Sequence, residues 1–407
     1  MTGNIDDILI FCVDLSRQMI ISGANLERIQ TAVDTICRAY GLSDVSLFLL
    51  STHISLSAVD SEGNYSSRQA SIPAAGIHLE RLRSLNQLSY KIAEITPNPK
   101  TLSQMLERAM HVKDYSEPVI IAGKLCAMLC LSFMFGGTFN EIVPIALVTV
   151  IIHYFMSVLE KTGLDRIVTN ALTMFTAAVA AVGFVYSGIG DNLPAILITV
   201  TMIVIPGIPL VNAMRNLLCG REINGILQML KIFIETMALG LGIYSALAIF
   251  KNFIAVNGAP PSALPPIVMT ALSFMASVGF GIVFMIPPKD LWLAGLGGAM
   301  ARIALLVLTP LIPNRLLFMT LSASVAALYA EFLAVRRKQP STYLLYPSII
   351  PLIPGDLFFY SLSGLFLGDR VWVETNGINC LLSLAGLSIG FVLSSAVAIH
   401  VRRSRVK

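Results

Sequence analysis

The chain has 407 residues, of which 55% are hydrophobic and 13% charged, with a mean hydropathy of +0.76 and a formal net charge of +4. Soluble domains carry about a quarter charged residues, so an ordinary soluble protein is excluded and an integral membrane protein is expected. The basic excess is small and sorts by loop, which marks topology and gives no nucleic-acid partner.

In chain order, residues 1–117 read as a soluble α+β domain, because their apolar residues recur at helical or strand period and never run ~18 long without charge. Met1 to Asp7 carries acids and no basic n-region, so no signal peptide is expected. Ile5 to Tyr40 is helical with a break near Gly23 and a stop at Gly41. Val45 to Val59 reads as two strands around Ser51-Thr52-His53, and Asp60-Ser61-Glu62-Gly63-Asn64 turns into a third. Ile77 to Ile95 and Leu102 to Val112 are helical again, with a Pro97/Pro99 turn between them.

After Pro118 the texture changes. Ten spans are expected, centred near residues 128, 150, 177, 203, 238, 274, 301, 325, 354 and 388, each long enough for a ~20-residue membrane helix. One set of alternate loops plus the C-terminus holds Lys161, Arg166, Arg215, Arg221, Lys231, Lys289, Arg336, Arg337, Lys338, Arg402, Arg403, Arg405 and Lys407. The other set holds Lys251, Arg315 and Arg370. The positive-inside rule makes the rich set cytoplasmic, and an even number of spans then puts both termini in the cytoplasm.

Two apolar segments share an IP-x-IP signature: Ile205-Pro206-Gly207-Ile208-Pro209 and Ile350-Pro351-Leu352-Ile353-Pro354, the latter followed by Gly355. Two prolines so placed predict a helix break, since each removes an N–H and clashes with the preceding turn. Lipid tolerates such backbone only against protein or a wet cavity. The signatures pair at an offset of about 145, and Ala177-Ala178-Val179-Ala180-Ala181 pairs with Ala323-Ser324-Val325-Ala326-Ala327 at about 146. An odd number of spans per copy makes the repeat inverted, the plan of secondary transporters with substrate held at interrupted helices near the midplane. The expected fold is therefore α-helical and membrane-embedded: a cytoplasmic domain (1–117) and two five-helix inverted repeats (118–255 and 262–402).

The chain resembles the threonine/serine exporter family in its fused form, which carries both membrane halves. The resemblance rests on Ser22-Gly23-Ala24-Asn25-Leu26-Glu27-Arg28-Ile29, on Pro206 through Gly220 (PGIPLVNAMRNLLCG) and on Pro347 through Asp356 (PSIIPLIPGD), and covers nearly the whole length. Asn25 and Asn216 stand where the family usually has Glu and Asp. The resemblance implies export of small polar metabolites, driven by the membrane gradient, across a bacterial cytoplasmic membrane. The split form of the family is linked with dicarboxylate export, so a succinate-like substrate is the alternative to threonine or serine.

The candidate residues follow from the cost of polarity in lipid, roughly 2.5–3.5 kcal/mol for a central charge on insertion scales. Arg302, deep in the seventh span, calls for a substrate carboxylate or a structural acid. Asp356 is suited to an amino group or a coupling proton, or to an ion pair with Arg302. Asn212, Arg215 and Asn216 share a helical face that can cradle a carboxylate or serve as an interfacial anchor. Thr199 and Thr201 offer hydroxyls to substrate or bond back to the i−4 carbonyl. Glu235 is spaced to pair with Lys231, Lys124 to snorkel, and His153 either to relay protons or to pack through a hydrogen bond. With Pro206, Gly207, Pro209, Pro351, Pro354 and Gly355, these are the expected substrate and coupling residues.

Cys12, Cys37, Cys126, Cys130, Cys219 and Cys380 form no CxxC pair and have no His at metal-ligand spacing, so no metal or cofactor is expected. No Walker A motif supports ATP-driven transport. Ser51, Ser55, His53, His78, His111 and Asp60 lack the motif context of a hydrolase, and no enzymatic activity is expected. The partners are then a small molecule, protons and the bilayer, with homo-oligomerisation open. A channel is the competing class of function.

Overall fold

A computed structural model describes residues 5–50, 52–72, 76–250, 264–337 and 339–404. Ser51, Lys251, Lys338, Arg405, Lys407 and the expected boundary between 255 and 262 lie outside the described residues. The chain divides into two compact units, one of Met1–Tyr115, Phe284–Pro287 and Ala330–Leu344, the other of Ser116–Val283, Pro288–Tyr329 and Leu345–Lys407.

The first unit begins with α1 (Ile5–Ile21) and α2 (Leu26–Ala39). The break between them is built by Gly23, whose φ of 94° is accessible to glycine, and by Asn25, which caps α2 by accepting from the Arg28 amide at 2.9 Å. Arg28 ties α2 to the helix α3 (Leu79–Ile95) through Asn86 and stacks over Tyr90 at 4.8 Å. The Ser-Gly-Ala-Asn-x-x-Arg block therefore encodes a helix junction, with Asn25 filling a structural position.

Strands β1 (Ser43–Leu49), β2 (His53–Val59) and β3 (Tyr65–Ser71) form an antiparallel meander in the order β1-β2-β3. Ile54, Leu56 and Ala58 alternate inward along β2 and close a core with Leu9, Phe11, Leu15, Ile29 and Ile36. The β2–β3 turn is held by Asp60, which accepts from the amides of Glu62 and Asn64 at 2.9 Å each and from the Asn64 side chain at 3.0 Å. These donors hold the Asp60 carboxyl below its ordinary range. A 3-10 turn at Pro99–Thr101 leads into α4 (Leu102–Met110). The unit also takes in the segment Phe284–Pro287: Phe284 O accepts from the Leu79 amide at 2.9 Å and Ile286 O from the Tyr115 hydroxyl at 2.7 Å.

The second unit is helical, with α5 (Glu117–Met134), α6 (Ile142–Lys161), α7 (Arg166–Tyr186), α8 (Leu193–Thr201), α9 (Gly207–Leu218) and α10 (Glu222–Ile249). They are followed by α11 (Pro266–Val283), α12 (Pro288–Leu311), α13 (Arg315–Arg337), α14 (Thr342–Ile349), α15 (Gly355–Leu367) and α16 (Arg370–Ser404), of which α13 and α14 begin or end in the first unit. Among the described residues eight helices are long and apolar enough to cross a membrane, and a ninth crossing arises if α14 and α15, bent by 55°, count as one. The chain is a multi-pass helical membrane protein. α8 and α9 are separated by the five residues Met202 to Pro206.

Helix starts recur along the chain. Glu117 and Pro266, Arg166 and Arg315, and Leu193 and Thr342 lie 149 residues apart, whereas Gly207 and Gly355, and Glu222 and Arg370, lie 148 apart. The helix starts at the two breaks are 148 apart whereas the signatures themselves are 145 apart, for a physical reason. The expectation matched proline to proline, but only one proline per signature makes the break. Pro206 caps α9 with φ −78° and ψ 58°, and Pro354 caps α15 with φ −78° and ψ 63°. Pro209 lies in the first turn of α9, where a missing N–H costs nothing, and Pro351 lies in the 3-10 turn Ile350–Leu352.

Close helix packing is written in glycine. A Cβ on Gly242 of α10 would run into the Ala171 carbonyl of α7, and one on Gly279 of α11 would stand 2.6 Å from the Gly123 carbonyl of α5. These backbones touch, as small-residue interfaces in membranes allow.

Candidate functional site

The two breaks meet each other. A Cβ on Gly207 would stand 3.0 Å from Ile353 Cδ1, and one on Gly355 would meet the Met202 sulfur. Each break glycine thus abuts a residue just upstream of the other break. At both, the glycine amide turns back to the carbonyl two residues earlier, Gly207 to Ile205 and Gly355 to Ile353, at 2.8 Å each. The N-termini of α9 and α15, their positive dipole ends, are therefore brought to one place. Pro206, Gly207, Pro351, Pro354 and Gly355 are buried, while Pro209 is exposed and lies off this crossing.

Pro351 has a carbonyl that its own helix cannot satisfy. Its 3-10 donor would be Pro354, which has no N–H, and the next amide, Gly355, is spent on Ile353. Arg302 of α12 supplies the donor: Nη2 gives to Pro351 O at 2.6 Å, and Nε gives to Ser273 Oγ of α11 at 3.0 Å. Ser273 Oγ also lies 3.8 Å from the Met134 sulfur. The deep arginine is thereby tied to the break itself. Among the described residues Arg302 and Asp356 form no ion pair within 4 Å, although their charges act on one another.

Asp356, half-buried in the first turn of α15, complements that helix's positive end. The cationic side chains whose charges act on it are Arg315 and Arg302. Arg215 is not among them. It lies eight residues past Gly207, about 12 Å down α9, which places it well away from the break. Near Arg215, Asn212 Nδ2 donates to the Tyr346 hydroxyl of α14 at 3.0 Å, and Asn216 Nδ2 to Gln228 Oε1 of α10 at 3.0 Å. The two asparagines of that helical face thus have separate partners.

Arg315 escaped sequence reasoning because it stood in a loop-end set used for topology. It is half-buried at the start of α13, donates from Nη1 to Ser383 Oγ of α16 at 3.2 Å and lies 5.7 Å over the Phe318 ring. The one available signal was positional: Arg166 opens α7 as Arg315 opens α13. Arg166 Nε lies 3.9 Å from Glu235 Oε1 of α10, and Glu235 and Ser383 are 148 residues apart. Glu235, buried, thus pairs with Arg166 and not with the exposed Lys231, because α10 turns its Glu235 face to α7.

Thr201 returns its hydroxyl to the Leu197 carbonyl, as i−4 back-bonding predicts. Thr199 is fully buried, and its Oγ1 has no hydrogen-bond partner among the described residues. His153 of α6 joins two groups of α5: its Nδ1 lies 3.0 Å from Lys124 Nζ, and its Nε2 lies 3.4 Å from Glu117 Oε1, an ion-pair separation outside hydrogen-bond geometry. Lys124 therefore has a neighbour that snorkelling would not require. Glu160 adds a further charge at this cluster.

In the first unit His53 and Ser55 share the outer face of β2, and the other described hydrolase candidates have places of their own. His53 and Asp60 stand at opposite ends of β2, His111 bonds the Glu107 carbonyl, and His78 pairs with Asp114 at 2.7 Å. Among the described residues no group of three or more His, Cys, Asp or Glu could hold a metal ion.

Residues 10–250 match the ThrE family model, described as a threonine/serine exporter, and residues 269–397 match a second model, described as Threonine/Serine exporter, ThrE. The chain belongs to this family. The two ThrE matches span both halves in one polypeptide, a fused family member of membrane-transporter type. The first match ends beside the terminus of α10 and the second begins within α11. No curated protein and no solved structure matches the chain.

Proposed function

We propose that this ThrE-family protein exports threonine and serine by alternating access, exchanging them for protons across a bacterial cytoplasmic membrane. The observation that carries this reading is the meeting of two equivalent helix breaks, Pro206-Gly207 and Pro354-Gly355, in the apolar interior. Interrupted helices in matching halves are where secondary transporters hold substrate. The recurring helix starts support ten spans, with α8–α9 and α14–α15 each crossing once as a broken helix. Five spans per copy make the second copy inverted, and the loop arginines then favour cytoplasmic termini. Residues 118–255 and 262–402 are the two repeats on this reading, and residues 1–117 a cytoplasmic domain.

Asp356 is the coupling carboxylate in this scheme: it opens α15 at the break and can carry a proton or face an ammonium group. The Asp356→Asn variant should fold yet lose flux driven by a pH gradient. Uptake of labelled threonine, serine and succinate into inside-out vesicles, with and without a proton gradient, tests the whole. Threonine and serine should accumulate with the gradient. Accumulation of succinate alone would overturn the substrate, and gradient-independent uptake would overturn the coupling.

A further inference from the structure

The two halves place their carboxylate differently around an equivalent arginine. In the first half, Arg166 at the start of α7 meets Glu235 on α10, and the α9 residue at the position equivalent to Asp356 is Ile208. In the second half, Arg315 at the start of α13 meets Ser383 on α16, and the carboxylate has moved onto the broken helix as Asp356. Helix geometry keeps these groups at one level. α15 and α16 are joined by two residues, Gly368 and Asp369, so they run antiparallel. Ser383 lies thirteen residues into α16, about 20 Å, and Asp356 lies eleven residues from the end of α15, about 17 Å. Cys380, one turn from Ser383, feels the charges of both Asp356 and Arg315.

The charge balance is then unequal. Arg166, itself exposed, lies within ion-pair distance of the buried Glu235, so the first half matches one arginine with one acid. Asp356 feels the charges of two guanidiniums, Arg315 and Arg302, and among the described residues neither forms an ion pair with it. Arg302 spends two of its donors on Pro351 O and Ser273 Oγ. Arg315 gives one N–H to a neutral hydroxyl where its counterpart has an acid. A guanidinium presents five donors in a planar fork suited to a carboxylate, and a net cationic cluster in low dielectric favours an anion.

We infer that Arg315, with Ser383 beside it, is the substrate-carboxylate site of the transporter, and that Asp356 faces the substrate's ammonium group from the break. The inference rests on the export reading above and adds the residue that holds the anionic end. Amino acids and dicarboxylates share that carboxylate; only the amino acid has an ammonium group for Asp356.

The test supplies to the second half the acid that the first half has. In Ser383→Glu the new carboxylate reaches Arg315 and competes with substrate. Half-saturation for threonine and serine in proteoliposomes should rise at least tenfold, and the substrate-induced rise in melting temperature of the detergent-purified full chain should disappear, with basal melting unchanged or higher. Arg315→Gln should lose the same binding shift, while Arg315→Lys should keep part of it. A purely structural Arg315 would only be better paired by the introduced carboxylate, so Ser383→Glu with wild-type half-saturation and an intact binding shift overturns the inference. If Ser383→Glu does not fold, Arg315→Gln with a wild-type binding shift overturns it equally. A binding shift with succinate and none with threonine or serine would overturn the role of Asp356 at the ammonium end. Failure of the export reading is separate: wild-type protein would then bind threonine with the predicted variant pattern yet show no flux.

Discussion

Replacing Arg302 with glutamine separates two roles for the deepest arginine. Its Nη2 gives the donor that the Pro351 carbonyl receives at 2.6 Å, because Pro354 has no N–H and Gly355 has spent its own. Its bond to Ser273 Oγ at 3.0 Å is the lesser loss, since that hydroxyl also has Met134 as a neighbour. A hydrogen bond to a charged group contributes about 1.5–3 kcal/mol net, and an abandoned buried acceptor costs about 1–3 kcal/mol. Glutamine is too short to span from α12 to the break, so Arg302→Gln should destabilise by about 2–4 kcal/mol and lower the melting temperature in detergent by several degrees. Arg302→Lys keeps the charge but reaches one partner at a time and should fall between. Melting curves with and without saturating threonine provide the assay. An Arg302→Gln protein that melts with the wild type while losing its threonine-induced shift would refute the reasoning and make Arg302 a substrate ligand.

Three further outcomes follow from other contacts. Gly242→Ala should cost about 1–3 kcal/mol, because its Cβ would run into the Ala171 carbonyl and push α10 from α7, whereas Gly183→Ala, with nothing within 4 Å of its Cβ, should melt normally. His153→Gln should fold and bind threonine but change the pH profile of transport, since it removes the one ring linking Lys124 to Glu117; an unchanged profile would show that this cluster only packs α5 on α6. Asp60→Ala should speed amide exchange at Glu62 and Asn64 at neutral pH. Because the folded Asp60 carboxyl is held below its unfolded value of about 3.9, its contribution is present above that value. It is lost as pH falls through the folded one, so wild type and variant should converge in acid, and a difference that persists there would contradict the assignment.

The elements of the first unit were legible because they rest on local rules. Gly23, Gly41 and the Asp60–Asn64 turn are punctuation that any neighbouring packing leaves intact, and the strand alternation at Ile54, Leu56 and Ala58 is read directly from period two. The breaks were legible for the same reason: proline's missing N–H acts within a turn. What sequence could not supply was which proline caps the new helix. That depends on whether the following amides find carbonyls, and it is why the capping prolines lie 148 apart while the signatures lie 145 apart. The partners of the charged residues were illegible on other grounds. Glu235 has Lys231 at the right spacing, but the face of α10 that meets α7 is set by Gly242 and its approach to Ala171. Arg315 looked like a loop-end charge until its place at the head of α13 matched that of Arg166.

The central claim is a carrier that exposes one site alternately to each side, and counterflow measures it directly. Proteoliposomes holding the purified chain would be preloaded with unlabelled threonine and diluted into a trace of labelled threonine without any gradient. The account predicts a transient accumulation of label above equilibrium that saturates with internal threonine and is weakened in Ser383→Glu. Label that rises only to equilibrium, in proportion to concentration and indifferent to the preload, would make the crossing of the two breaks a channel and contradict the account.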